Sequence, residues 1–338
     1  MNRKTAAVIS ASLGTALLVA GCGTVNQAAS HSKVSTGNQT ATNSTGTATG
    51  QAGQTPQAQT QFPLTVKDQA GHTITIKKAP KHIASITLGT DTILSGLVPK
   101  SEIAMVTKFS ADPNQSNIVS FVKGIPKINQ ANSEQIIAAH PDLVLAASYT
   151  QSGVVQQLKQ AGIPTYEFAS FNSQKAIEKN IKIMGKLVDK PAKANQLIKT
   201  MNQQLKQIGN AVKGMKKPTV ISDSSYGDAA GSQTTVNDMI RDAGGVNAAA
   251  GVTGWKKVTD EQIVKWNPDV MIISSTDKGY KQKLLHDKAL QDVNFVKNRR
   301  IYAVPPADLN SLSQYFPRGV RDIAKDLHPK ANIPKLTK

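Results

Sequence analysis

The chain has 338 residues, enough for two domains of ordinary size, and a formal net charge of +18 from 40 Lys and Arg against 22 Asp and Glu. One Cys excludes an internal disulfide. The Lys residues are scattered and only 4% of residues are aromatic, which argues against a nucleic-acid surface, where basic and aromatic residues cluster.

Residues 1–21 read as an export signal. Arg3 and Lys4 form a positive start, and Ala6 to Ala20 is an uncharged apolar run. The run is shorter than the ~20 residues of a comfortable membrane span. Val19-Ala20-Gly21-Cys22 resembles a bacterial lipobox, which implies lipidation, such as palmitate, at Cys22. Residues 22–61 are rich in Ser, Thr, Gly, Gln and Asn and lack aromatics before Phe62. They are expected to form a flexible tether with a reach of ~35 Å.

From residue 62, strand and helix patterns alternate. Leu64–Val66 and Thr73–Ile76 flank Asp68-Gln-Ala-Gly71 and predict a hairpin. His82–Ile86 and Ile103–Val106 predict strands, with a helix over Asp91–Leu97 between them. Then comes Glu134-Gln-Ile-Ile-Ala-Ala-His-Pro141-Asp142-Leu-Val-Leu145. It reads as a short helix capped by Ser133, ended by Pro141 with His140 extended before it, and a buried strand. Val154–Ala161 is a predicted helix and Ile163–Phe168 a strand. Residues 62–170 thus form an expected N-terminal α/β lobe.

Residues 171–216 change period. Apolar residues recur at helical spacing from Ala176 to Val212, and Pro191 suits a first helical turn. This is an expected helical spine. Residues 217–330 return to strand and helix: a strand over Pro218–Ser222, a helix over Thr235–Ala243, a helix over Lys283–Val296, a strand over Arg300–Val304 and a helix over Phe316–Leu327. Residues 331–338 are a tail. Within this lobe, Glu261-Gln-Ile-Val-Lys-Trp-Asn-Pro268-Asp269-Val-Met-Ile272 repeats the earlier word 127 residues on. Thr259 is its expected cap, and Asn267 is expected extended. Two copies indicate two similar lobes, each presenting one exposed Glu in the same place.

The lipobox, the tether, the two lobes with a helical spine and the twin words, with Ala243-Gly-Gly-Val-Asn247 ahead of the second, resemble substrate-binding lipoproteins of ABC importers. The resemblance is to the class with a rigid helix between the lobes, which carries iron–siderophore complexes, haem or cobalamin. It implies an α/β fold of two lobes with mostly parallel sheets, no catalysis and no resident cofactor or metal. It further implies a monomer held at the extracytoplasmic face of the membrane by its lipid, with an ABC permease dimer and its ATPase as partners. Glu134 and Glu261 would dock on the permease subunits. The cargo would sit in the cleft at the carboxyl ends of the strands, against Thr87, Lys108, Tyr149, Tyr226, Trp255 and Thr276. Trp255 stands six residues before Glu261, where cobalamin-binding relatives carry an aromatic, whereas Ile128 stands six before Glu134. That difference and the positive charge favour an anionic ferric siderophore, with cobalamin or haem as the alternative. A basic cell-surface adhesin is the alternative from another class. Gly-x-Ser-x-Gly, His-Glu-x-x-His and phosphate-loop patterns are absent.

Overall fold

The computed structural model describes residues 59–336. The signal segment, Cys22 and most of the tether lie outside them. The fold begins slightly before residue 62: the Thr60 amide donates to Asp189 Oδ1 at 2.7 Å.

The N-terminal lobe holds a five-stranded sheet of Lys127–Ile128, Ile103–Thr107, Ile83–Ser85, Leu143–Ala147 and Thr165–Phe168, in that spatial order, with every pairing parallel. Four of these strands are buried along their whole length, as expected when helices cover both faces. The predicted hairpin forms from Leu64–Lys67 and Thr73–Ile76. The C-terminal lobe holds a four-stranded sheet of Val246–Asn247, Thr219–Ser222, Val270–Ser274 and Ile301–Val304, again all parallel. A two-stranded antiparallel ribbon, Asp228–Ala230 with Trp255–Lys257, lies beside it.

The predicted spine is two helices, Gln174–Leu187 and Pro191–Ala211. They are separated at Asp189, which is left-handed, and Pro191 occupies the first turn of the second. The two helices approach so closely at Gly185 that a Cβ there would lie 2.3 Å from Ala194 Cβ. One hydrophobic core runs from Ile83 and Leu145 through Ile181, Met201 and Ile208 to Val220, Ile240 and Ile323. It therefore passes through the spine and joins both lobes. Ile333 and Leu336 of the tail also pack against it.

The twin words fold alike. Their helices are Ser133–Ala138 and Asp260–Trp266. Thr259 caps the second through a reciprocal capping box with Gln262. Asn132, not Ser133, caps the first and accepts from the Gln135 amide at 2.9 Å. Ser133 is buried and its hydroxyl donates to Gln157. His140 and Asn267 are left-handed (φ 46° and 44°) rather than extended. Each helix must turn into a strand within three or four residues, and this reversal outweighs the usual preference of a residue before Pro.

Asp142 and Asp269 then do one job twice. The Asp142 amide donates to His82 O at 2.9 Å, and its carboxylate accepts from the Lys81 and His82 amides at 2.7 and 3.0 Å. The Asp269 amide donates to Thr219 O at 2.9 Å, and its carboxylate accepts from the Thr219 amide at 3.0 Å and hydroxyl at 3.1 Å. Each Asp clamps the start of the neighbouring strand.

The helix expected over residues 283–296 is broken into Tyr280–His286, a 3-10 turn at Lys288–Leu290 and Asn294–Lys297. Asp287 leaves helical geometry and caps the 3-10 turn, accepting from the Ala289 amide.

Candidate functional site

The carboxyl ends of the N-terminal lobe's strands open onto a cavity of about 590 Å³. Ile86 to Leu88 follow the strand Ile83–Ser85, Thr107 ends the next strand, and Phe109 lies two residues on. Ile128 to Ala131 end and follow the shortest strand, and Tyr149 to Gln151 follow Leu143–Ala147. Gln115 completes the wall. A parallel sheet places its ligand here because loops at this edge are free to diverge while the strands stay packed.

The cavity continues into a smaller space of about 80 Å³, where Gly89, Asn117 and Tyr149 meet Ala307, Asn310 and Leu312 of the C-terminal lobe. The floor of this cleft is tied across. Asn117 Nδ2 donates to Ala307 O, Arg318 Nη1 to Asn117 Oδ1 and Gln314 Nε2 to Thr92 O, each at 2.7–2.8 Å.

Of the six residues expected to contact cargo, Thr87 and Tyr149 line the cavity. Lys108 stands at its edge, with Nζ 5.6 Å from the ring centroid of Phe109, a lining residue. Tyr226, Trp255 and Thr276 line neither space. They sit at the corresponding edge of the C-terminal lobe, with Tyr226 79% and Trp255 47% exposed. Thr276 is turned back on its own loop, its hydroxyl 2.8 Å from that of Ser274.

Sequence reasoning missed Gln115, Asn129, Gln130 and Gln151. The first lies in an irregular loop, and the next two follow a strand of two residues, too short to leave a periodic signal. It also missed the role of Asp91, the residue behind the wall. Asp91 is fully enclosed, and its Oδ2 accepts from the Thr107 amide at 2.9 Å, the Thr107 hydroxyl at 2.7 Å and the Ser110 hydroxyl. Burial pushes this carboxyl up to about 7, against the pull of the Ser110 and Thr107 donors. Asp91 thereby joins two segments that shape the wall.

The lining is chemically plain. It offers four carboxamides (Gln115, Asn129, Gln130, Gln151), the hydroxyls of Thr87, Thr107, Thr150 and Tyr149, and the Phe109 ring. No formal charge lies among these lining residues, and no thiol, imidazole or carboxylate that would ligate a metal. Tyr149 is 74% exposed, and its phenol is available to the cavity as a hydrogen-bond donor. The positive charge of the chain therefore does not extend into the lining. Such a wall can hold an uncharged polar molecule by many hydrogen bonds. It offers no nucleophile poised by a base.

Glu134 and Glu261 occupy the same position, second in their helices, and both are exposed. The Thr259 hydroxyl and the helix amide at Glu261 hold the Glu261 carboxyl below its usual range. Among the described residues, no helix is long and apolar enough to cross a membrane.

Comparison with known proteins agrees with this geometry. The family model described as periplasmic binding protein matches residues 83–307. The uncharacterized ABC transporter substrate-binding lipoprotein YvrC of Bacillus subtilis is 32% identical over 280 residues, which are 79% of this chain and 86% of that protein. A cobalamin-binding protein of Halobacterium salinarum is 26% identical over 276 residues, 78% of this chain and 73% of that one. Among solved structures, a possible iron-binding (periplasmic solute-binding) protein of Staphylococcus epidermidis superposes with a TM-score of 0.66 at 27% identity, covering 74% of this chain and all of that one. The chain belongs to the periplasmic binding protein family and is the substrate-binding component of an ABC transporter, a transport protein and not an enzyme.

Proposed function

We propose that the cleft captures a large, uncharged metal complex outside the cytoplasm, cobalamin foremost, and that the chain hands it to an ABC permease dimer driven by its ATPase. The observation that carries this reading is the lining: four carboxamides, four hydroxyls and two aromatic rings without a formal charge. The rim of a corrin ring bears amide side chains, and each can both donate to and accept from Gln, Asn and Thr. Tyr149 and Phe109 supply flat apolar area beside those partners. The cavity seats part of such a ligand, and the remainder lies in the open mouth between the lobes. The relative from Halobacterium salinarum is named for cobalamin binding.

A second reading is a ferric siderophore. It is favoured by Lys108 at the cavity edge and by the net charge of +18. An uncharged hydroxamate complex fits this wall better than a catecholate with several negative charges, because such charges would be buried against groups that cannot neutralise them.

In this reading Cys22 carries the lipid, residues after it form the tether, and the chain acts as a monomer on the extracytoplasmic face. Glu134 and Glu261 dock on the two permease subunits, where paired charges fix orientation and speed encounter. Calorimetric titration with cyanocobalamin, a ferric hydroxamate, a ferric catecholate, haem and molybdate tests the cargo. Saturable 1:1 binding of cyanocobalamin with Kd below about 1 μM, near −8 kcal/mol, is expected. Binding of a ferric siderophore without cyanocobalamin would replace the first reading by the second. No heat with any of them would overturn both.

A further inference from the structure

A cluster of ligating side chains lies away from the cleft, on the outer edge of the N-terminal lobe. Asp68 and His72 sit in the hairpin turn between Leu64–Lys67 and Thr73–Ile76. Glu167 sits in Thr165–Phe168, the edge strand of the five-stranded sheet. His72 Nδ1 is 3.3 Å from Asp68 Oδ2 and 3.3 Å from Glu167 Oε1. One ligand atom from each of the three residues lies within 4.8 Å of the others.

We propose that Asp68, His72 and Glu167 form a zinc-type metal site that clips the N-terminal hairpin to the edge of the sheet. Three observations support it. The first is spacing. A charge-assisted hydrogen bond from imidazole to carboxylate closes to about 2.7–2.9 Å. Two ligands of a tetrahedral zinc, each about 2.0–2.1 Å from the metal, stand about 3.3 Å apart. Both imidazole–carboxylate separations are 3.3 Å, long for a charge-assisted hydrogen bond and compatible with two ligands of one zinc. The third edge, no more than 4.8 Å, closes by a small side-chain rotation.

The second observation is charge. The Asp68 side chain is fully buried and that of Glu167 is 9% exposed. Lys159 Nζ approaches Glu167 Oε1 at 3.3 Å, and the contacts of Asp68 Oδ2 run to His72. Two buried carboxylates with one fixed cation leave one negative charge, which a protonated His72 or a bound divalent ion would neutralise. The third observation is access. The His72 side chain is 52% exposed, so the site opens to solvent on one side, where a water can complete the coordination.

The backbone explains what the clip would secure. The Gln69 amide donates to Glu167 O at 3.1 Å, and the Ala169 amide donates to Gln69 Oε1 at 2.9 Å. Gln69 Nε2 reaches Asn180 of the spine at 2.8 Å. The turn therefore already covers the exposed rim of the edge strand, and a bound ion would lock it there.

The test is Co²⁺ titration of the chain and of His72→Ala and His286→Ala, followed by visible absorption, with thermal unfolding read in the presence and absence of Zn²⁺. Four-coordinate Co²⁺ gives intense visible bands. One equivalent is expected in the unaltered chain and in His286→Ala, which removes another exposed imidazole. His72→Ala should weaken binding by roughly 100-fold or more, since losing a ligand costs at least as much as losing a supporting contact. Zn²⁺ should raise the melting temperature of the first two proteins and not of His72→Ala. Bands and thermal shift that survive His72→Ala, or no bands in the unaltered chain, would overturn the site. The test is independent of cargo, so it stands or falls apart from the proposed function.

Discussion

Replacing Asp91 by Asn should remove one component of the pH dependence of stability. In the unfolded chain this carboxyl titrates near 3.8, and burial in the fold raises it to about 7. Between these values the folded protein holds a proton that the unfolded chain has released. The contribution of Asp91 is thus fully present below pH 3.8 and is lost as pH rises through 7. The interval is about 3 pH units at about 1.4 kcal/mol each, a total on the order of 4 kcal/mol. Asn can still accept from Thr107 and Ser110 in place of Oδ2. Its amide protons replace Oδ1, which has no hydrogen-bond partner among the described residues, at a cost of about 1–3 kcal/mol that does not vary with pH. Urea unfolding of both proteins from pH 4 to pH 8 measures the difference. Burial also raises the Asp223 and Asp326 carboxyls, but they titrate in both proteins and cancel. The stability of the unaltered chain relative to Asp91→Asn should fall by several kcal/mol across that range. A difference that stays constant within about 1 kcal/mol would refute the argument that burial controls this group.

Reversing both docking charges, Glu134→Lys with Glu261→Lys, should abolish uptake in cells while leaving cargo affinity in calorimetry unchanged; intact uptake would dismiss the docking role. Gly185→Ala drives a methyl group against Ala194 at the closest approach of the spine helices, and should cost about 1–3 kcal/mol in denaturant unfolding. Thr259→Ala removes one half of a capping box and should lower stability by ~1 kcal/mol, read as a shift in urea midpoint. Because the core is continuous through the spine, cargo should change the radius of gyration in solution scattering only slightly, and a marked compaction would contradict this.

Most of the framework was legible from residue pattern. Continuous apolar strands such as Leu143–Ala147 and the helical spacing of Ile177, Ile181 and Met184 each specify one element type, and the packed structure agrees. The departures arise where two local forces compete. Asn132 and Ser133 are both capping residues, and burial of Ser133 against Gln157 decides between them. His140 and Asn267 precede Pro, but the chain reversal that Asp142 and Asp269 fasten dictates a left-handed turn. At the site, the strand ends at Thr87 and Tyr149 could be read directly. Which loops converge could not, because that depends on strand order and on the small strand Lys127–Ile128, visible only once paired with Val106 and Thr107. Trp255 illustrates the limit: its place before Glu261 is plain in sequence, yet it falls in a ribbon beside the second sheet, outside the cavity.

The shared core also bears on how this protein could be re-engineered. The residues that hold the N-terminal lobe's inner face, such as Leu145 and Phe168, and those that hold the C-terminal lobe's, such as Val220 and Ile323, belong to one apolar body with the spine in its middle. A lobe cut out at the sequence boundary would expose that face to water. A chimera that borrows a cleft wall from a relative must therefore bring the adjoining spine with it, or graft only the loops 108–115, 128–131 and 149–151. Those loops form much of the wall and hold all four of its carboxamides. Cargo preference could then be exchanged if the graft keeps Asn132, which caps the Glu134 helix directly after 128–131, and keeps Ile128, which shares a core cluster with Ile136 of that helix.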